Sequence, residues 1–598
     1  MKRIYKIAHS VLFGVLLIAA SCSKSNFLDA KSVTDLDEAA VFTDSARTIG
    51  ILTAIYSSVG ASFEPNGALG GGSGGYLDVT DECEPRWTSG GNIPIKFAIG
   101  TFSPGDNGAF SSDPFKVETA YRRIRAANLY LNKVDGSPLS AALKKRTKAE
   151  ARFLRGWYYA MLMKAHGGVQ LTEEVLDIDA EISVPRSTYA ECVDYVVKEM
   201  DASAADLPLS YSGLDYGRAT KGAALALKAR ILLYAASPLF NGGSIASDEK
   251  LKALTAYPTA DQQRWNTAVQ AYQDVINLRQ YQLETDDTKP GLGFYNVFLK
   301  RVNSEYIFAE MVGLNKTFED RSYPTNIAGG RPNHWPQQNA VDRFGTADGK
   351  AISDPTSGYT DNNPYVNRDP RFYYSIVYNG SRLFTTTGNT YAQVFTYVNN
   401  PAPNNNPQTS NAQILDNTQS NAATKTGYYY RKMCDTTLAA NSGGNTERCN
   451  PLIRYAEVLL GYAEALNETG QTEQAVDQII SVRTRAGIKP GANNRYGIPT
   501  GISQDDMRSL IQNERSVELM FEEHRFWDVR RWKIAEVTEK APMQGMKITK
   551  TGGSTFTYER YNLTRQHSWP ADNRYYLMPY ATTELAKLPG VLLQNPGW

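Results

Sequence analysis

Residues 452–470 read LIRYAEVLLGYAEALNETG, and the 34-residue unit that starts inside them at Ala456 decides the fold. Counted from Ala456, Ala463 falls at the small eighth position of the tetratricopeptide pattern and Gly470 at the turn. Ala475 takes the twentieth position and Ile479 the bulky twenty-fourth. A second unit begins at Ala149, with Gly156 at position eight and Tyr159 at position eleven. A third pairs residues 224–236 with 265–278, where Ala268 and Tyr272 occupy the second-helix positions. Small residues let paired helices approach closely, and large ones fill the gaps between neighbours. In two units, insertions separate the paired helices, so the sequence predicts a mostly α fold: a tetratricopeptide-like helical-pair solenoid decorated with loop-rich insertions.

Outward from these units, helical periodicity covers 41–60, where Ile49, Leu52, Ile55 and Tyr56 share a face. It returns at 116–135, 147–166, 188–206, 218–237 and 265–278, then at 450–486 and 504–536. The helical scaffold is thus expected mainly over 41–60, 116–280 and 450–536. Loop-rich insertions are expected mainly over 64–115, which holds the glycine run 67–75, and over 285–430. The second insertion is rich in Pro, Gly and Asn, includes the tract Asn399-Asn400-Pro401-Ala402-Pro403-Asn404-Asn405-Asn406-Pro407, and should contain short strands.

Residues 505–532, DDMRSLIQNERSVELMFEEHRFWDVRRW, read as one helix with Met507, Leu510, Ile511, Val517, Met520 and Phe521 on its buried face. Glu514, Glu518 and Glu522 stand four apart in an acidic ridge. Like charges at that spacing cost about 0.2–0.5 kcal/mol per pair in an isolated helix, so the ridge calls for basic partners. Arg152 with Arg155, or Arg483 with Arg485, are the candidates. Paired carboxylates also hydrolyse glycosides, but that chemistry needs them flanking a bond, not lined along one helix wall. A structural ion-pair network is the favoured reading.

At the N-terminus, Lys2, Arg3 and Lys6 precede an apolar run over 11–21 that suits a secretory signal but is short for a bilayer span. Ala19-Ala20-Ser21 then meets Cys22, the pattern of a bacterial lipoprotein signal. Cleavage would remove residues 1–21 and acylation of Cys22 would anchor the rest, 22–598, by lipid alone. With 63 basic and 62 acidic residues, no electrostatic footprint for nucleic acid exists. Cys434 and Cys449 flank a flexible turn and are candidates for a disulfide, which an oxidising compartment permits; Cys83 and Cys192 are expected to be free. No His/Cys cluster has metal-ligand spacing, and Asp106, Asn107 and Asp113 lack the spacing of a calcium loop, so neither metal nor cofactor is expected.

The C-terminal stretch NERSVELMFEEHRFWDVRRW resembles the signature of the SusD/RagB family of outer-membrane nutrient-binding lipoproteins. Agreement extends to Ser25-Asn26-Phe27-Leu28-Asp29, AEARFLRGWYYAMLMKAHGGVQL at 149–171, Pro185-Arg186-Ser187-Thr188 and GRATKGAALALKARILLYA at 217–235. It continues through Arg368-Asp369-Pro370-Arg371 and residues 452–470 to Gln594-Asn595-Pro596-Gly597-Trp598. The resemblance implies one mostly helical unit carrying a loop-rich ligand-binding region, anchored in the outer membrane and facing the cell exterior. It implies a non-catalytic receptor that passes oligosaccharide or polysaccharide to a SusC-like TonB-dependent barrel. A peptide receptor of the same kind and a surface glycoside hydrolase are the alternatives.

Sugars present C–H faces and hydroxyl rims, so capture wants exposed aromatic rings with amides, carboxylates and Arg nearby, on loops held by a rigid scaffold. Two stretches fit. In the first, Tyr76, Asp81, Arg86, Trp87 and Asn92 are candidates, with Trp87 stacking. In the second, Arg331, His334 and Trp335 are candidates, with Trp335 stacking and His334 hydrogen-bonding at the rim.

Overall fold

Helix starts in this chain are written by capping side chains. Asp44, Ser140, Thr188, Thr220 and Ser503 each accept a hydrogen bond from a backbone N–H of the first turn they precede. At Thr188 the exchange is reciprocal, because Glu191 accepts from the Thr188 N–H in a capping box. The computed structural model describes residues 41–60, 75–86, 92–106, 115–175, 183–325, 329–385, 390–399, 423–440 and 442–598. Cys22, the expected lipid acceptor, and Trp87, the stacking candidate, lie outside the described residues, as do Asn107 and Asp113.

The scaffold helices are α1 (Ser45–Tyr56), α2 (Val117–Lys133), α3 (Ala141–His166), α4 (Tyr189–Asp206), α5 (Lys221–Ala236) and α6 (Gln263–Asn277). After the second insertion come α7 (Tyr455–Glu468), α8 (Thr472–Ala486), α9 (Gln504–Glu518) and α10 (His524–Arg531). From α1 to α9 each helix packs on the next, and α6 reaches across the insertion to α7. The small positions explain the closeness. A Cβ on Gly156 would run into Met200 of α4, and one on Gly461 of α7 would run into the Tyr272 ring of α6. Gly487 ends α8 in the left-handed region at φ +78°, where glycine carries no steric cost. The chain is mostly helical, as its repeat pattern predicts.

Two boundaries differ from expectation. The helix expected from 450 begins instead as strand β4 (Cys449–Arg454), which pairs antiparallel with β2 (Tyr306–Met311). The helix expected over 504–536 stops at Glu518, passes through left-handed Phe521 (φ 64°) and Glu523 (φ 63°), and restarts as α10. The break is held by cations from elsewhere in the chain. Lys432 Nζ donates to the carbonyls of Glu518 (2.9 Å) and Met520 (2.7 Å), and Arg454 Nη2 donates to Glu518 O (2.8 Å). Freed helix carbonyls thereby gain charge-assisted partners without water.

The acidic ridge is sealed inside. Glu514, Glu518 and Glu522 are 1%, 0% and 5% exposed, so none of the three can act on a polymer. Arg483 Nε meets Glu514 at 2.8 Å, Arg485 pairs with Glu518, and Arg454 bridges Glu518 (2.8 Å), Glu522 (2.7 Å) and Glu305 (2.6 Å). Arg371 adds Glu514 at 2.7 Å and Glu518 at 3.0 Å, and Lys432 adds Glu522 at 2.7 Å. Arg155 belongs elsewhere, donating to Glu199 on α4 and to Asn128 on α2, while Arg152 is exposed. Burial alone would raise the Glu518 carboxyl, but Arg485, Arg454, Arg371 and Lys432 outweigh it and bring it down to about 2.

Cys434 and Cys449 are both buried and unbridged. The register of β4 on β2 sets Cys449 opposite Met311, where its Sγ lies 3.4 Å from both Met311 Sδ and Arg301 O. The candidate disulfide is thus not formed: strand pairing, not the intervening turn, positions Cys449. Past α10, β5 (Gln544–Gly552) and β6 (Thr555–Asn562) form a hairpin that the helical pattern did not suggest.

Candidate binding rim on the paired insertions

The two stretches singled out for ligand contact are brought together. Strand β1 (Cys83–Pro85) of the first insertion pairs antiparallel with β3 (His334–Pro336) of the second, with Glu84 opposite Trp335. The ladder extends at both ends. Gln337 N–H donates to Glu82 O at 2.9 Å, Arg86 N–H to Asn333 O at 2.8 Å, and Asn333 N–H to Arg321 O at 3.0 Å. Segments about 250 residues apart in sequence thus share one edge.

One side of that edge is core. Trp335 is 0% exposed and packs with Phe344, Phe372 and Tyr428 to Tyr430 in the apolar cluster of the second insertion. Lys425 Nζ stands 5.6 Å from its ring centroid. Its expected role as a stacking platform is corrected to a packing role, because a ring with no accessible face cannot meet a sugar. His334 is 1% exposed and edge-on to Tyr430 at 5.6 Å, and burial pushes its imidazole down to about 4, so it is a neutral core residue. Tyr76 is likewise buried, its ring 4.9 Å from Phe526 and 5.4 Å from Trp527. Asp81 is buried between Arg525, at 2.8 and 2.9 Å, and Arg343. Burial would raise the Asp81 carboxyl, yet Arg343 and Arg525 hold it well below the usual carboxylate range. All four are buried: Trp335 and His334 on β3 and Asp81 just before β1 underlie the edge, while Tyr76 packs in the scaffold core.

The accessible side is basic. Arg331 is exposed and Arg86, Arg321, Lys425 and Arg565 are half-buried there; Asn92, also half-buried, belongs to a separate segment. Asn92 occupies the N-cap position of the short helix Ile93–Ala98. Glu84 pairs with Arg565 at 2.9 Å. Burial lowers the Arg86 guanidinium from its ordinary value, and the neighbouring charges of Arg321 and Arg331 lower it further, so the three cations lie within each other's fields. Arg321, Lys425 and Arg565 carried no sequence signal, since each comes from a different segment and only tertiary pairing gathers them.

A concavity of about 970 Å³ lies where the scaffold meets the second insertion, lined by Tyr56, Tyr211, Tyr216, Arg218, Arg301 and Glu310. Its polar groups are largely engaged. The Tyr56 hydroxyl donates to Glu150 at 2.9 Å, Arg218 meets Glu150 at 3.0 Å, and Arg301 donates to the carbonyls of Val312 and Arg448. Among the described residues no group of three His, Cys, Asp or Glu side chains is placed to hold a metal ion. No helix of the described residues is long and apolar enough to cross a membrane.

Comparison with known proteins agrees with this architecture. The family model described as "SusD family" matches residues 304–598, and one described as "Starch-binding associating with outer membrane" matches 111–233. SusD-like protein P2 of Formosa agariphila is 33% identical over 162 residues, which is 27% of this chain and 28% of that protein. SusD-like protein P38 of the same organism is 23% identical over 452 residues, 73% of this chain and 75% of that one. A SusD-like protein from Bacteroides fragilis NCTC 9343 has 25% identity and a TM-score of 0.73, covering 96% of this chain and all of its own. Two further structures share the fold. A SusD-like carbohydrate binding protein from Bacteroides fragilis has TM-score 0.68 and 24% identity, covering 92% of this chain and 99% of its own. Surface glycan-binding protein A from Bacteroides fluxus has TM-score 0.57 and 18% identity, covering 93% and 100%. With its repeat scaffold, its sealed Glu–Arg network and these matches, the chain belongs to the SusD family.

Proposed function

We propose that this protein is a non-catalytic receptor that captures oligosaccharide or polysaccharide on the rim above β1 and β3 and delivers it to a SusC-like TonB-dependent barrel. Residues 1–21 act as the signal, and residues 22–598 form one unit anchored in the outer membrane by lipid on Cys22, facing outward. The observation that carries this reading is the β1–β3 ladder, which gathers polar side chains from both insertions onto one accessible edge above a rigid floor. The solved relatives described as carbohydrate-binding and glycan-binding support the cargo class. The scaffold helices, on the other side of the chain's division of labour, offer the surface for the transporter. A hydrolytic role finds no support in the ridge glutamates, which are buried and ion-paired.

The purified mature protein, run through native gels cast with individual polysaccharides, tests this. Retardation by at least one polysaccharide without release of new reducing ends is the expected result. Release of reducing ends by the protein alone would contradict the receptor reading, and retardation by peptides but by no polysaccharide would move the cargo to peptide.

A further inference from the structure

The rim's charge points to a narrower cargo than "glycan", and this inference rests on the receptor reading above. Backbone pairing fixes the cations relative to one another. Arg86 is bonded to Asn333, Asn333 to Arg321, and Arg331 N–H donates to Asp320 O at 2.5 Å, so the arginines of three segments are tied into one short ladder. Beneath them, three carboxylates already have cationic partners, and a fourth, the half-buried Asp320, stands in the fields of Arg321 and Arg331. Asp81 is held by Arg343 and Arg525, Glu319 by Arg448, and Glu84 by Arg565. Burial, reinforced by Glu84, raises the Asp78 carboxyl far above its ordinary value, so it offers less negative charge than its residue type implies. The chain as a whole carries only +1, which makes a gathering of cations at one accessible edge a local feature and not a reflection of composition.

We infer that the β1–β3 rim is an anion-recognition subsite, with Arg321 and Arg331, beside Arg86, binding carboxylate or sulfate groups of an acidic polysaccharide. Planar guanidinium groups suit such oxyanions because their N–H donors match two oxygens at once. Neutral polysaccharides offer this edge only hydroxyls, which do not repay the desolvation of several cations.

The test measures the dissociation constants of the full mature protein for four polymers. Polygalacturonate carries carboxylates and dextran sulfate carries sulfates; carboxyl-reduced polygalacturonate and plain dextran are their neutral counterparts. Tighter binding of one charged polymer than of its neutral counterpart, by roughly tenfold, is the expected result, weakening as NaCl is raised. Whichever charged polymer binds more tightly assigns the group. Arg321→Gln and Arg331→Gln should each weaken that binding roughly tenfold, the scale of one charge-assisted hydrogen bond, with thermal unfolding unchanged. Equal affinity for charged and neutral polymers, or full affinity in both variants, overturns the anionic subsite and leaves the receptor intact. Binding of none of the four polymers overturns the anionic subsite alone, and binding of poly-glutamate with no polysaccharide bound overturns both readings.

Discussion

Two clusters of charge in this molecule use the same residue types for opposite ends. Around Glu514, Glu518 and Glu522 each carboxylate meets Arg or Lys within 3.0 Å and water is excluded. On the β1–β3 rim, Arg86, Arg321 and Arg331 stand half-buried or exposed, within one another's fields. The first cluster locks α8, α9, the β2–β4 pair and the second insertion into one arrangement. The second keeps its donors where an incoming molecule can reach them. The lesson is that arginine density identifies neither role. What separates them is exposure, since the ion pairs of the first cluster are sealed while the rim's arginines, with Asp320 beside two of them, border solvent.

Changes that violate the packing of the stack should have the largest effect. Gly156→Trp forces an indole into the contact with Met200 and Glu199, and the protein is expected to lose its cooperative thermal transition. Retention of the wild-type transition would refute the repeat alignment. Removing one member of the sealed network comes next. Arg454→Met takes one buried cation from Glu305, Glu518 and Glu522, leaving Arg485, Arg371 and Lys432 to face the three carboxylates, and a loss of about 3–5 kcal/mol is expected by chemical denaturation. Trp335→Ala should cost a similar amount, about 3–5 kcal/mol, because its ring is core; an exposed stacking ring would cost little. Arg331→Gln, by contrast, should change stability by no more than about 0.5 kcal/mol, the range of surface substitutions.

Titration separates the network from the floor of the rim with opposite signs. Glu518 sits at about 2 in the folded protein against 4.5 when free. Its contribution is therefore complete above pH 4.5 and is lost as pH falls through about 2. Glu82, buried under the rim beside the Phe521 N–H, is raised by burial from 4.5 to about 7. A raised carboxyl disfavours folding as pH climbs from 4.5 through 7, so Glu82→Gln should raise the melting temperature at pH 8 and leave it unchanged at pH 4. A pH-independent effect of that substitution would show that desolvation does not dominate there.

The scaffold was readable because its information is local. Gly156, Ala463 and Ala475 mark close helix contacts at fixed spacing, and a capping residue such as Thr188 marks a start. The spacing of the acidic ridge calls for basic partners and admits two pairs, of which Arg483 and Arg485, two residues apart on α8, are the ones that meet it. It could not find Arg371 and Arg454, which come from the insertion and from a strand. Nor could it foresee the break after Glu518, since Lys432 supplies it from 86 residues away. The rim shows the sharper limit. Trp335 between His334 and Pro336 reads alike whether its ring faces a ligand or the core. Only the pairing of β3 with β1 turns it inward and leaves Arg331 outside.

Whether cargo meets the paired insertions or the helical stack is the point on which the account rests. Hydrogen-exchange mass spectrometry of the mature protein, with and without the polysaccharide that binds it most tightly, measures this directly. Slowed exchange in the segments of β1, β3 and residues 316–333, with α2 to α6 unchanged, is the predicted result. Slowed exchange confined to the α2–α6 surface, or to the cleft beside Tyr211 and Tyr216, would contradict it.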